Sequence, residues 1–230
     1  MSQDTWAAIA SVFGTLAAAF AGSWYAFKLN NDIARKAAAK AEISNANKTL
    51  FKLIRQVNVL EVYRLQTLEP HRNSPARHIH VQAARISEHK SDRIDQDSLH
   101  FLVERDAPNL LMEILIEDDR FDAILDTIYV RSKFHYDFIQ PAIERTGAVT
   151  TLADIHRETG PRATVTIKDY TDHLYSMVDA SLASLPAVIG KLRAEMKKHY
   201  PNEKFLVNQP LDVGDRFETA KSQQPDYSWK

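Results

Sequence analysis

Apolar and polar positions divide the chain into an uncharged opening, a polar alanine-rich stretch, and several segments with helical periodicity. No charged residue occurs from Trp6 to Phe27, and these 22 positions form about 33 Å of helix at roughly 1.5 Å per residue. A bilayer core about 30 Å thick needs around 20 such residues. Aromatic residues, which membrane interfaces favour, lie at both ends of the run. Residues 1–28 are therefore predicted to form a single transmembrane anchor.

A cleaved signal peptide and a buried core helix are the alternatives for this segment. Residues 19–21 resemble a small-residue cleavage site, but a signal peptide carries positive charge before its apolar run, and none occurs there. With only three serine and threonine residues in it, the run also lacks the polar stripe of a core helix. The positive charges follow the run, so the positive-inside rule places the N-terminus outside and the rest in the bacterial cytoplasm. They are Lys28, Arg35, Lys36 and Lys40.

Small residues recur every four positions along the predicted anchor, at Ala10, Gly14, Ala18 and Gly22. Small side chains at this spacing share one helix face and let two helix backbones approach closely in lipid. The alternative is accidental spacing in an alanine-rich span. We expect homo-oligomerisation through this face of the anchor.

The remaining pattern predicts an all-α protein. Residues 29–48 are rich in alanine and lysine, contain no helix breaker, and are predicted to extend the anchor helix as a stalk. From Leu50 the apolar face widens, which indicates burial in a cytoplasmic helical bundle over residues 49–200. Residues 201–230 lose periodicity and are expected to form an irregular tail.

Within the bundle, apolar residues recurring every three or four positions predict four main helices. Proline, glycine and capping residues set the expected boundaries. The first helix ends at Glu69–Pro70, the second runs from a cap at Asp106 to an interruption at Pro141, a short third lies between Thr151 and Gly160, and the last begins near Lys168 and ends before Pro201.

Charge is distributed unevenly although the net charge is only −1. Residues 71–93 hold five basic and two acidic residues, a net of +3, whereas residues 95–126 hold ten acidic and two basic residues, a net of −8. One interpretation is that the basic loop folds over the acidic helix. The other is that it binds a phosphate-bearing ligand such as a nucleotide, an RNA or a lipid head group. The candidate ligand-binding residues are Arg72, Arg77, His78, His80 and Arg85.

The sequence contains no recognisable metal-binding or cofactor-binding motif. Five of the nine histidines lie between residues 71 and 100, and acidic residues crowd positions 117–122. The chain nevertheless has no cysteine, no HExxH motif and no glycine-rich phosphate loop. We therefore predict neither a metal nor a cofactor.

Arg93 and His100 are separated by six residues at a predicted loop-to-helix junction. This spacing resembles the Arg-x(4–6)-His motif of the small all-helical HEPN ribonucleases. The resemblance covers the motif and the helical class, and it implies that histidine acts as general acid or base while arginine stabilises phosphate charge. Three further pairs have allowed spacings: Arg64 and His71, Arg72 and His78, and Arg193 and His199.

Taken alone, the sequence favours a non-enzymatic, membrane-anchored helical module that oligomerises, senses or binds a cytoplasmic protein partner, and sits in the bacterial inner membrane. Its layout resembles that of bacterial single-span proteins with cytoplasmic helical domains, some of which serve in defence or stress systems. The alternative is a membrane-tethered HEPN-like nuclease or a nucleotide-responsive effector that uses the basic loop 71–93. The small net charge makes a nucleic-acid partner the weaker expectation.

Overall fold

The structure is a computed structural model that describes residues 3–84, 93–146 and 151–207, with side chains described from residue 16 onward except at residue 17. Every regular element within these ranges is helical, which confirms the all-α prediction. The α-helices are α1 (Gln3–Tyr63), α2 (Arg77–His80), α3 (Phe101–Glu104), α4 (Pro108–Phe134), α5 (Gln140–Thr146), α6 (Leu152–Thr159) and α7 (Pro161–His199).

The chain forms two compact units, residues 1–46 and residues 47–230. We call the described part of the first unit the N-terminal segment and the described part of the second unit the bundle. Helix α1 runs unbroken from Gln3 to Tyr63 and so contributes to both units. The predicted helical continuity through residues 29–48 is therefore confirmed, as expected for a stretch without a helix breaker.

Large apolar side chains in the N-terminal segment are exposed. Leu16, Phe20 and Phe27 expose 62%, 75% and 63% of their surface. Trp24, Tyr25, Leu29 and Ile33 are exposed as well. In the part of the chain that the structure describes, no helix combines the length and the apolar character needed to span a membrane.

The core of the bundle lies along α4 and α7, which pack against each other over most of their length. Their buried apolar residues recur every three or four positions, as the sequence pattern predicts. The second part of α1 adds a further buried row, and burying each such side chain contributes about 1.5–3 kcal/mol. These rows are Leu50, Leu53 and Leu60 in α1, Leu111, Ile114, Ile124 and Ile128 in α4, and Leu174, Val178, Leu185 and Leu192 in α7.

A smaller apolar cluster closes the end of the bundle that carries α2. Ile79, Ile139, Ala142, Ile155 and Ile167 are all buried in it. They come from α2, the turn after α4, α5, α6 and the start of α7. This cluster fixes α2 and α6 against α7.

The short helix α6 begins and ends as its sequence predicts. Thr151 caps it through a capping box with Asp154, in which each side chain accepts a hydrogen bond from the other residue's backbone N–H. Gly160 ends it with φ +80°, a conformation that favours glycine. Pro161 then opens α7 at once, so α7 begins seven residues before the predicted Lys168. Proline fits the first turn of a helix, because the N–H it lacks has no intrahelical partner there.

Two predicted boundaries of α4 are wrong. Asp106 does not cap the helix: it lies at φ +58°, and Ala107 occupies the N-cap position before Pro108. Pro141 does not interrupt the helical path either, since a π-helical turn at His135–Ile139 leads directly into α5. The turn places Pro141 second in α5, where its missing N–H is tolerated.

The irregular tail is described only up to residue 207. Residues 204–207 have no regular structure, as predicted, yet Phe205 is buried and the Lys197 ammonium lies 5.9 Å from its ring centroid. The Asn47 side chain accepts a hydrogen bond from the Leu206 N–H at 3.2 Å. The first residues of the tail therefore pack on the bundle.

Candidate functional site

A pocket of about 290 Å³ opens between the segment 72–78 and the first half of α7. Most of its lining side chains are basic or polar. The lining residues are Arg72, Asn73, Ser74, Pro75, Arg77, His78, Lys168 and Asp172. Three of the five predicted ligand-binding residues therefore come together here.

Carboxylates of α7 hold the two arginines of the pocket. Arg72 donates to both Asp179 carboxylate oxygens, at 2.8 and 2.9 Å, and Arg77 donates twice to Asp172 Oδ1, at 3.0 and 2.7 Å. The hydrogen bond from Arg72 lowers the pKa of Asp179. The side chains of these two arginines thus pair with α7 and not with the acidic residues of α4.

The ring of Tyr175 contacts both guanidinium groups. The arginine Cζ atoms of Arg72 and Arg77 lie 5.2 and 4.8 Å from the centroid of its ring, within the range of cation–π attraction. The Tyr175 hydroxyl donates to the Leu68 carbonyl at 2.7 Å. Burial of the phenol raises its pKa, so it stays protonated and keeps this hydrogen bond at neutral pH.

Lys168 is the basic lining residue that the sequence reasoning missed. It lies exposed on α7, and its ammonium group has no hydrogen bond or ion pair within the described ranges. A lysine on a long helix carries no local signal of its own. Only the docking of residues 72–78 against α7 makes it part of a pocket.

His78 is buried beside His156 of α6. Their Nε2 atoms are 3.2 Å apart, and the two rings stack with centroids 5.4 Å apart. Burial of His78 and the proximity of His156 both lower its pKa. A hydrogen bond between the facing nitrogens requires one ring to donate and the other to accept.

His80 is not among the lining residues of the pocket. His80 is exposed, its Nδ1 lies 3.0 Å from the Ser74 hydroxyl, and its ring centroid is 5.8 Å from that of His71. Arg85 lies outside the described residues. The structure therefore assigns His80 a place beside the pocket, next to one of its lining residues.

A second residue that the sequence reasoning missed, Arg131 of α4, is completely buried. Its guanidinium donates to the Val81, His78 and Gln82 carbonyls and, through Nε, to the Thr171 hydroxyl at 3.0 Å. Burial lowers its pKa to about 10, so it remains charged at neutral pH. The carbonyls at the end of α2 are natural acceptors for a cation. Arg131 therefore fixes the segment that forms one wall of the pocket.

The proposed ribonuclease pair is not assembled. The Arg93 guanidinium pairs with Asp119 at 2.9 Å and with Asp122 at 2.8 Å, while His100 lies exposed at the start of α3. Within the described ranges the two side chains make no contact with each other. Arg93 therefore packs on the acidic helix, as one interpretation of the charge pattern predicts. The nearby carboxylates of Asp122 and Asp119 raise its pKa.

The acidic run 117–122 is used in packing. Glu117 accepts from Arg120 at 2.7 Å, and buried Asp118 accepts from the Gln56 amide at 2.7 Å and from the Ile94 N–H at 3.0 Å. These contacts join α1 and the loop to α4. Within residues 3–84, 93–146 and 151–207, no group of three or more histidine or acidic side chains is placed to hold a metal ion.

Half of the predicted self-association face can be described. Ala18 and Gly22 are exposed on α1, and a Cβ built on Gly22 meets no atom within 4 Å. The side chain of Ala10 and the surroundings of Gly14 lie outside the described side chains.

Comparison with family models, with curated proteins and with solved structures finds no match to the chain.

Proposed function

We propose that this protein is a membrane-anchored helical interaction module, held at the bacterial inner membrane by the first part of α1. The observation that carries the proposal is the exposure of Phe20, Trp24 and Phe27, each more than 60% exposed, on a continuous helix. Leaving apolar surface in water costs about 25 cal/mol per Å². Lipid removes that cost for a helix that is apolar on all sides.

The charge pattern supports an orientation for this anchor. No charge lies between Trp6 and Phe27, and lysine and arginine are concentrated directly after it. With the N-terminus outside, these residues and the bundle lie in the cytoplasm. Trp24 and Tyr25 would then lie at the cytoplasmic interface, where amphipathic rings are favoured.

Single charges placed in and beyond the anchor test the proposal. We expect the wild-type chain to remain in bacterial membranes after alkaline carbonate extraction. Ala18→Arg should release it, because an arginine at the centre of a membrane helix costs about 2.5–3.5 kcal/mol. Ala38→Arg is the matched control on the exposed, polar part of the same helix and should stay bound. Extraction of the wild-type chain, or equal behaviour of the two variants, would refute membrane anchoring.

The proposal includes homo-oligomerisation through the small-residue face of the anchor. Exposed Ala18 and Gly22 permit close approach of a second helix. Gly22→Leu should therefore reduce cross-linking between copies in membranes. Ser23→Leu places the same leucine side chain on a different face and should leave cross-linking unchanged. If both variants cross-link like wild type, association does not use this face.

The proposal also includes a cytoplasmic protein partner for the bundle. Tyr136 and Phe138, in the π-helical turn after α4, are 70% and 51% exposed, and exposed aromatic residues are enriched at protein interfaces. A photo-reactive amino acid at position 136 should form a discrete cross-linked product in cells. The same group at exposed position 126 is the control. The absence of any product specific to position 136 would count against a partner at this surface.

A membrane-tethered ribonuclease is the less favoured alternative. The pairing of Arg93 with Asp119 and Asp122 engages the arginine that the resemblance to HEPN ribonucleases would use on phosphate. His100 has no side-chain partner in the described ranges that would tune it as an acid or base. Unchanged activity of His100→Ala towards RNA, relative to wild type, would exclude this pair from catalysis.

A further inference from the structure

The pocket between residues 72–78 and α7 has the features of a ligand site, independently of membrane attachment. We infer that it binds the phosphate group of a small phosphomonoester, with Lys168 as the cation that contacts the phosphate directly. The inference rests on four observations: a lysine without a counter-ion among the described residues, arginine N–H groups not used in the described contacts, a fixed wall, and the size of the pocket.

The cations of the lining outnumber its acids. Arg72, Arg77 and Lys168 carry three positive charges and Asp172 carries one negative charge, which leaves +2 on the lining when His78 is neutral. Both arginines already pair with carboxylates, Arg72 with Asp179 and Arg77 with Asp172. Lys168 is therefore the lining cation whose charge an incoming anion would balance.

The arginines also retain hydrogen-bond donors. A guanidinium has five N–H groups. Arg72 uses three of them on Glu69 and Asp179, and Arg77 uses three on Asp172 and the Arg72 carbonyl, so two remain on each within the described contacts. Three terminal oxygens of a phosphomonoester accept more N–H donors than the two oxygens of a carboxylate.

The donors are held in place before any ligand arrives. Tyr175 supports both arginines, and Arg131 ties the carbonyls of His78 and Val81 to α4. Ordering flexible side chains costs about 0.5–1.5 kcal/mol each on binding, and this arrangement avoids that cost for the arginines. Surface lysines and arginines on a mobile loop would not share this property.

The size of the pocket limits the ligand. Its volume of about 290 Å³ is at the lower end of the roughly 300–1,000 Å³ of typical small-molecule sites. A phosphate with a small attached group fits this volume, whereas a folded RNA would have to bind outside it. A nucleoside monophosphate and the head group of phosphatidic acid would each present the same monoester chemistry.

Calorimetry on the full-length chain in detergent micelles tests the inference with three probes. They are inorganic phosphate, adenosine 5′-monophosphate, and mixed micelles containing phosphatidic acid. We expect at least one to bind and expect Lys168→Gln to weaken that binding roughly tenfold or more, the loss typical of one charge-assisted hydrogen bond. Arg162→Gln removes one exposed charge from α7 outside the pocket and should bind like wild type.

The three probes distinguish the sources of the phosphate. Binding of the nucleotide or of inorganic phosphate points to a soluble ligand, and binding of phosphatidic acid alone points to a lipid head group; each supports the monoester site. Dimethyl phosphate, a diester, should bind at least tenfold more weakly than the best probe. The inference is overturned if no probe binds, if dimethyl phosphate binds equally well, or if Lys168→Gln binds as tightly as Arg162→Gln.

Discussion

The two parts of helix α1 contrast in what they do with apolar side chains. Before residue 34, Phe20 and Trp24 expose 75% and 65% of their surface, whereas beyond residue 47, Leu50 and Leu53 are completely buried. Both parts are continuous α-helix, so helix formation does not explain the difference. The second part is surrounded by the bundle, and the membrane-anchor proposal would place lipid around the first.

The pattern of residues in each part explains this contrast. Apolar residues of the second part recur at three- and four-residue intervals, which leaves the opposite face polar. The first part has no charged face between Trp6 and Phe27. A one-sided apolar stripe is buried by packing on one side, whereas an apolar surface on all sides is buried in a large protein core or in lipid.

The largest effect is expected from removing the buried charge of the bundle. Arg131→Ala should lower the free energy of unfolding by about 3–5 kcal/mol, because it leaves the His78 and Val81 carbonyls without their buried donor and opens a cavity. Urea denaturation measures the change. Arg162→Ala, an exposed arginine of α7, should stay within about 0.5 kcal/mol of wild type. Membrane attachment should persist in both variants.

A matched pair of leucines tests the two parts of α1 directly. Leu53→Ala should destabilise the bundle by about 2–5 kcal/mol, since it removes a completely buried side chain. Leu16→Ala, at a residue 62% exposed, should change the same free energy by less than about 0.5 kcal/mol. Equal effects of the two substitutions on urea denaturation would show that the first part of α1 is packed like the second.

Acidification should weaken the bundle without melting the N-terminal segment. Burial lowers the pKa of both His78 and His135 below the ordinary value of 6.5. Between that value and the lower folded-state pKa, the unfolded chain binds more protons, so lowering pH favours unfolding. The full contribution of these two histidines to the free energy of unfolding is present above about pH 6.5, and it is lost as the pH falls through their folded-state pKa values.

Denaturation at pH 7.5 and pH 5.5 measures this dependence. His135 donates to the Ile79 carbonyl at 3.0 Å, and glutamine can keep a similar bond without titrating. His135→Gln should therefore reduce the difference in stability between the two pH values. A difference as large as that of wild type would show that His135 does not contribute to the acid sensitivity.

The smallest effect concerns the cap of α6, which lies in the bundle. Thr151→Ala should lower the free energy of unfolding by about 1 kcal/mol, within the roughly 0.5–2 kcal/mol range of N-cap losses. The reason is that the Asp154 N–H loses its side-chain acceptor. Thr151→Ser keeps that acceptor and should lie within a few tenths of a kcal/mol of wild type. A loss of stability in Thr151→Ser equal to that in Thr151→Ala would contradict the role of the hydroxyl.

The sequence predicts those features of the fold that depend on local pattern. Apolar spacing locates α4 and α7, and the threonine and glycine signals at residues 151 and 160 mark both ends of α6. Asp106 and Pro141 mislead because their usual roles are overridden locally. Asp106 adopts a left-handed conformation, so Ala107 takes the N-cap position of α4. The π-helical turn before α5 lets the helical path continue past Pro141.

The candidate site is predicted only in part, since its contacts link distant positions. Arg72 and Arg77 follow from the basic loop, but their partners on α7 lie about a hundred residues away. Lys168 and Arg131 belong to the same region through docking of α2 on α4 and α7, which no local pattern specifies. The charge pattern offered the acidic run as one packing partner for the loop. Among the described arginines of the loop, Arg93 pairs with that run, whereas Arg72 and Arg77 pair with α7.

The accessibility of single cysteines tests most directly whether the first part of α1 lies in lipid. The chain contains no cysteine, so Phe20→Cys and Ala38→Cys each introduce a unique thiol on an exposed helical position. In inverted inner-membrane vesicles, a water-soluble maleimide should label Ala38→Cys rapidly and label Phe20→Cys only after detergent is added. Equal labelling rates for the two thiols in intact vesicles would contradict the membrane-anchored account.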